Sequence, residues 1–80
     1  MAFNRVLGST MASASPADIA EQIFRESPYH PLRTLKCSFR EGVLTIVGRV
    51  PSYYLKQLAQ STVRGLNEVR QIRNLTEVPE

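Results

Sequence analysis

The run Leu35-Lys36-Cys37-Ser38-Phe39, the turn Arg40-Glu41-Gly42 and the run Val43-Leu44-Thr45-Ile46-Val47-Gly48-Arg49-Val50 constrain this chain more than any other part of it. In the first run Leu35, Cys37 and Phe39 alternate with Lys36, Ser38 and Arg40, the period-two pattern of a strand with one buried face. Gly42 can take the positive φ that a tight hairpin turn requires. The second run then reads as the returning strand, with Leu44, Ile46 and Val50 on one face and Val43 and Val47 on the other. Apolar residues on both faces imply either a central position in the sheet or an outer face that is only partly dry.

Amphipathic helices are expected on either side of this hairpin. Ahead of it, Ser15-Pro16-Ala17-Asp18 supplies an N-cap serine, a proline at the first helical position and an acidic residue suited to the helix dipole. Ile19, Ala20, Ile23 and Phe24 then fall on one arc, while Asp18, Glu21, Gln22 and Arg25 take the other. Ser27-Pro28 ends the helix, and the prolines of Pro28-Tyr29-His30-Pro31 predict a rigid connector. Behind the hairpin, Pro51-Ser52 opens a second helix in which Leu55, Leu58, Ala59, Thr62, Val63 and Leu66 share an arc. Setting Leu55 at the buried centre puts Tyr54 at the edge of that arc beside Leu58, where it would seal the helix against the sheet. Tyr53 falls in the polar arc with Gln57, Gln60 and Arg64.

The remainder of the chain has β-type residues, but Val69, Ile72, Leu75 and Val78 are spaced by threes. That predicts a third strand with a bulge or a helix-end residue at its start. The order is αββαβ, an α+β fold with a small three-stranded mixed sheet and both helices packed on one face. Residues 1–15, rich in Ser, Ala, Gly and Thr, are expected to form a flexible tail, and residues 16–80 the domain.

The 80 residues suffice for one domain, with 42% hydrophobic and 21% charged residues, ordinary values for a globular chain. A net charge of +3 is a mild bias toward anionic partners, but the basic residues are scattered. Without a concentrated basic stripe, a nucleic-acid partner is not expected. The single cysteine, Cys37, has no internal disulfide partner and no metal-ligand companion at finger-like spacing. No apolar run approaches a spanning segment, and Ala12-Ser13-Ala14 lacks the apolar stretch that a signal peptide would place before it. Cytoplasmic residence is the expectation, with a periplasmic or peripheral membrane location as the alternative.

With these elements in place, the run from Leu35 to Gln60, followed by Val63 to Val78, resembles the BON domain, named for bacterial osmotic-shock periplasmic and nodulation proteins. The positions that carry the resemblance are Glu41-Gly42, Val43-Leu44, Ile46, Gly48-Arg49-Val50, Ala59, Gly65-Leu66, Val69 and Asn74. The likeness spans about Ile19 to Val78. Between Val69 and Asn74 the chain is longer than the family's usual spacing, which bears on the register of the last strand. The resemblance implies an αββαβ fold and a non-enzymatic role, in association with other proteins or with phospholipid membranes.

Catalysis is not expected from the residues themselves. The one histidine sits in the proline-flanked connector, Cys37 is in phase with buried positions, and the glycines at 8, 42, 48 and 65 are too isolated to cradle a phosphate. Neither a cofactor nor a metal is predicted. Two surfaces are candidates for binding. One is the outer sheet face, where Val43, Thr45 and Val47 are more apolar than a freely solvated strand needs; it suits another protein or a second copy of the chain. The other is the start of the second helix, where Arg49, Tyr53, Tyr54 and Lys56 would meet an anionic phospholipid surface.

Overall fold

A computed structural model describes residues 15–79, so the expectation of a flexible tail over residues 1–15 lies outside the described residues except at Ser15, which caps the first helix. The first helix, α1, spans Pro16–Arg25. Its start is a reciprocal capping box: the Ser15 hydroxyl accepts from the Asp18 N–H at 3.4 Å, and the Asp18 carboxylate accepts from the Ser15 N–H at 3.3 Å.

The buried stripe of α1 is rotated from the arc expected from hydrophobicity. Ala17, Ala20 and Phe24 are buried, whereas Ile19 is 42% exposed and Ile23 half-buried. Ala17, Ala20, Glu21 and Phe24 stand at i, i+3, i+4 and i+7, so one carboxylate shares the inward stripe. The small alanines let the helix lie close to the sheet while Phe24 fills the space beyond them.

The proline-rich connector is more structured than a simple spacer. A 3₁₀ helix covers His30–Thr34 and drives Leu32 fully into the core. Arg33 fixes its approach by donating to the Ser27 carbonyl at 2.8 Å.

Strands β1 (Lys36–Arg40) and β2 (Val43–Val47) form the hairpin, and β3 (Gln71–Asn74) joins on the far side of β2. The β1–β2 pairing is antiparallel and the β2–β3 pairing parallel, so the sheet is mixed and β2 is its centre. Glu41 and Gly42 turn the hairpin with φ of 51° and 85°, the two positive values of a type I′ turn. Across the inner face the register aligns Phe39, Leu44 and Ile72 in one row and Cys37, Ile46 and Asn74 in the next.

Beyond Val47 the chain passes through Gly48, at φ 140°, where a Cβ would come within 2.6 Å of Leu35 Cδ2. Backbone pairing with the third strand nevertheless continues: Glu77 donates to the Gly48 carbonyl at 2.8 Å and Val50 to the Glu77 carbonyl at 3.0 Å. The second helix, α2, spans Tyr53–Val63, and its Ser52 cap accepts from the Leu55 N–H at 3.2 Å. Ala59 and Val63 are its buried positions, and Leu55, Leu58 and Leu66 pack beside them.

The spacing anomaly ahead of β3 has a structural counterpart. The N–H groups of Arg70 and Gln71 both donate to the Gly42 carbonyl, at 2.8 and 3.1 Å, so two residues oppose one at the strand's entry. Both helices lie on one face of the sheet, and Phe24, Leu32, Leu44, Ile46, Val50 and Val63 form the fully buried centre.

Candidate functional site

The two-layer arrangement leaves the outer face of the sheet uncovered by the described residues. Side chains alternate along a strand, so the inward row of Leu44 and Ile46 sends Val43, Thr45 and Val47 outward along the middle strand. The β1 residues on that side are Lys36, Ser38 and Arg40, and the β3 residues are Gln71 and Arg73. Val43 and Thr45 are half-buried by their neighbours and Val47 is 42% exposed. Leu75, which donates its N–H to the Ile46 carbonyl at 2.8 Å, continues the third strand beside Val47 and is 49% exposed. A shallow depression of about 550 Å³ lies over Ser38, Arg40, Glu41, Val43, Thr45, Gln71 and Arg73. The face is thus an apolar and hydroxyl-bearing strip edged by Lys36, Arg40 and Arg73.

The edges of the sheet are another matter. Cys37 stands opposite Ile46, whose carbonyl is taken by Leu75, so the Cys37 N–H points away from β2 as in a non-hydrogen-bonded antiparallel pair. The Glu21 carboxylate, brought there by the rotation of α1, accepts that N–H at 2.7 Å. On the opposite edge Leu75 and Glu77 direct their N–H groups to β2, which turns Thr76 outward. Its carbonyl accepts the Lys56 ammonium at 2.7 Å. One outward position on each edge is therefore occupied by a charged side chain from a helix, a device that obstructs strand addition.

The expected cluster at the start of α2 takes a different form. Arg49 faces Glu77, with Nε 3.7 Å from Oε1, an exposed pair of the kind that contributes about 0–1 kcal/mol. Lys56 is committed to Thr76. Tyr53 and Tyr54 are 67% and 65% exposed, so Tyr54 does not seal the helix against the sheet. The neighbouring Tyr29 phenol instead holds the Tyr54 pKa above its ordinary value. Tyr53 borders a depression of about 300 Å³ with Lys56, Gln57, Gln60, Ser61 and Arg64. The helix start therefore offers exposed rings, while its two nearby cations already face protein partners.

Asn74 and Thr76 carry a role that the sequence did not reveal. Asn74 Nδ2 donates to the Lys56 carbonyl at 2.8 Å and to Gln60 Oε1 at 3.4 Å. Its Oδ1 accepts from the Thr76 hydroxyl at 2.7 Å and the Thr76 N–H at 3.3 Å. These bonds tie α2 to β3 and satisfy Thr76, which is 2% exposed. In the sequence Asn74 stood out only as a position of the family resemblance, and Thr76 not at all.

Chemistry-bearing groups are sparse. Cys37 is half-buried, and its thiol is pushed up to about 12, first by burial and then by the Glu21 charge, so it stays protonated and unreactive near neutral pH. Among the described residues there is no group of three or more His, Cys, Asp or Glu side chains placed to hold a metal ion, and no helix is long and apolar enough to cross a membrane. No family model matches the chain, and no curated protein matches it at significance.

Proposed function

We propose that the chain is a non-enzymatic interaction module of the BON type that binds another protein through the outer face of its sheet. The observation that carries this reading is the uncovered strip of Val43, Thr45 and Val47, extended by the 49% exposed Leu75. Contiguous apolar surface rimmed by polar groups marks a place where a partner removes it from water. The occupied edge positions favour a partner seated on the face over one added as a further strand.

The test compares the wild-type domain with Val47→Glu, each immobilised and exposed to extract from its source cells. A protein retained by the wild type and lost by a folded Val47→Glu variant is the expected result. Equal retention by both would refute the outer face as the contact surface.

A second reading is peripheral binding to anionic phospholipid, favoured by Lys36, Arg40 and Arg73 around the same strip. Vesicles with and without anionic lipid separate it from the first. Binding to anionic vesicles that weakens with salt supports it, and equal absence of binding to both types excludes it. Tyr53→Ala reports on the helix start: it preserves folding, and weaker vesicle binding would place the exposed ring at the lipid boundary.

A further inference from the structure

The outer sheet face and the outer face of α1 lie on opposite sides of the molecule and differ in charge. The outward positions of the three strands carry Lys36, Arg40 and Arg73, against one carboxylate, Glu41 of the hairpin turn, bordering the same depression. On the exposed side of α1 stand Asp18 and, at its C-cap, Glu26, which accepts from Gln22 Nε2 at 2.6 Å, with Ile19 42% exposed and Ile23 half-buried. The one cation of that helix, Arg25, is held by Gln22 Oε1 at 2.9 Å. Each surface therefore joins apolar side chains to one predominant charge, and the charges are opposite.

From this complementarity we infer that the outer sheet face of one copy receives the α1 face of a second, head to tail, with Val47 and Leu75 against Ile19 and Ile23 and with Arg73 toward Glu26. The inference rests on the outer sheet face being the contact surface proposed above. A twofold, face-to-face dimer is disfavoured, because it would bring Lys36, Arg40 and Arg73 against their own copies across a distance of about 10 Å, the usual separation of packed sheets. A continuous sheet running from copy to copy meets Glu21 on one edge and Lys56 on the other. Stacking helices onto the open sheet instead gives β2 a cover on both sides, the environment that its two apolar faces suit. Such a contact is heterologous, so it propagates to a ring or an open stack.

Sedimentation velocity across a wide concentration range tests the arrangement. The wild type is expected to grow beyond a dimer with concentration and to return toward monomer as salt rises above about 0.5 M. Arg73→Glu and Glu26→Arg each abolish growth, and the double variant restores it because the reversed charges again attract. A wild type that stays monomeric throughout, a Glu26→Arg variant that associates like the wild type, or an Arg73→Glu variant that associates more strongly would overturn the inference. A monomeric wild type whose Val47→Glu variant still loses a retained protein would leave the contact surface proposed above standing and remove only self-assembly.

Discussion

Replacing Asn74 by alanine should reveal how much of the domain's stability passes through one polar side chain. The substitution removes two short hydrogen bonds, to the Lys56 carbonyl at 2.8 Å and from the Thr76 hydroxyl at 2.7 Å. At roughly 1 kcal/mol each, these account for about 2 kcal/mol. The Thr76 hydroxyl, on a residue only 2% exposed, then loses its acceptor. Leaving such a group unpaired adds about 1 kcal/mol at the low end of the usual range, for a total near 3 kcal/mol. A chain of this length has about 4–12 kcal/mol in all at ordinary stability per residue. With a urea slope of about 1 kcal/mol/M for a small domain, the midpoint should fall by about 3 M. The decisive measurement is a double-mutant cycle with Thr76→Val followed by urea unfolding. Thr76→Val should cost about 1 kcal/mol in the wild type and be neutral or stabilising in the Asn74→Ala background, where it removes the orphaned hydroxyl. Additive effects would refute the reasoning, because they would mean that the two side chains do not depend on each other.

Three further outcomes follow from backbone and burial. Glu41→Asn should raise stability by about 0.5–1 kcal/mol in thermal or urea unfolding, since Glu41 sits at φ 51° and asparagine tolerates that region far better. Gly48→Ala should lower it by about 1–3 kcal/mol, from the strain of φ 140° and the approach to Leu35 Cδ2. The Cys37 thiol ionises near 9.0 when unfolded and near 12 when folded. Between those values the unfolded chain holds fewer protons, so the thiol's contribution is complete below pH 9 and declines as pH rises toward 12. The stability difference between wild type and Cys37→Ala should therefore shift against the wild type across that window, and a constant difference in urea midpoints would contradict it.

The hairpin and the order of elements were readable because strand alternation and turn chemistry are local. Leu35 to Val47 has the same inward set in the sequence reading as in the fold, and Ser15 caps α1 as its neighbours predict. The phase of α1 was not local. Hydrophobicity placed Ile19 and Ile23 beside Ala20 and Phe24, and only the last two are buried; close packing favoured Ala17 instead, and a charged Glu21 gained an inward place by meeting the Cys37 N–H. The connector at Pro28-Pro31 shows the same limit: proline predicts stiffness, but the burial of Leu32 depends on a gap in the core that only the assembled layers create. At the candidate site, the apolar residues of the outer face were legible from β2 alone. Lys36 and Arg40 followed from the alternation of β1, but Arg73 needed the β3 register, because it becomes a neighbour of Thr45 only when the third strand is aligned. Tyr54 was misplaced for a related reason, since its neighbour Tyr29 lies 25 positions earlier (54 − 29) and no periodicity within α2 could supply it.

The charged groups on the two sheet edges also set how the fold can grow. Glu21 and Lys56 belong to helices, yet they meet backbone groups that an additional strand would need. The number of strands is thus determined partly by residues that are not in strands. Tandem copies joined in one polypeptide should consequently remain separate three-stranded units, each with its own hydrophobic centre, instead of merging into one wide sheet. Genetic duplication of this domain would multiply its open sheet faces without changing the architecture that presents them.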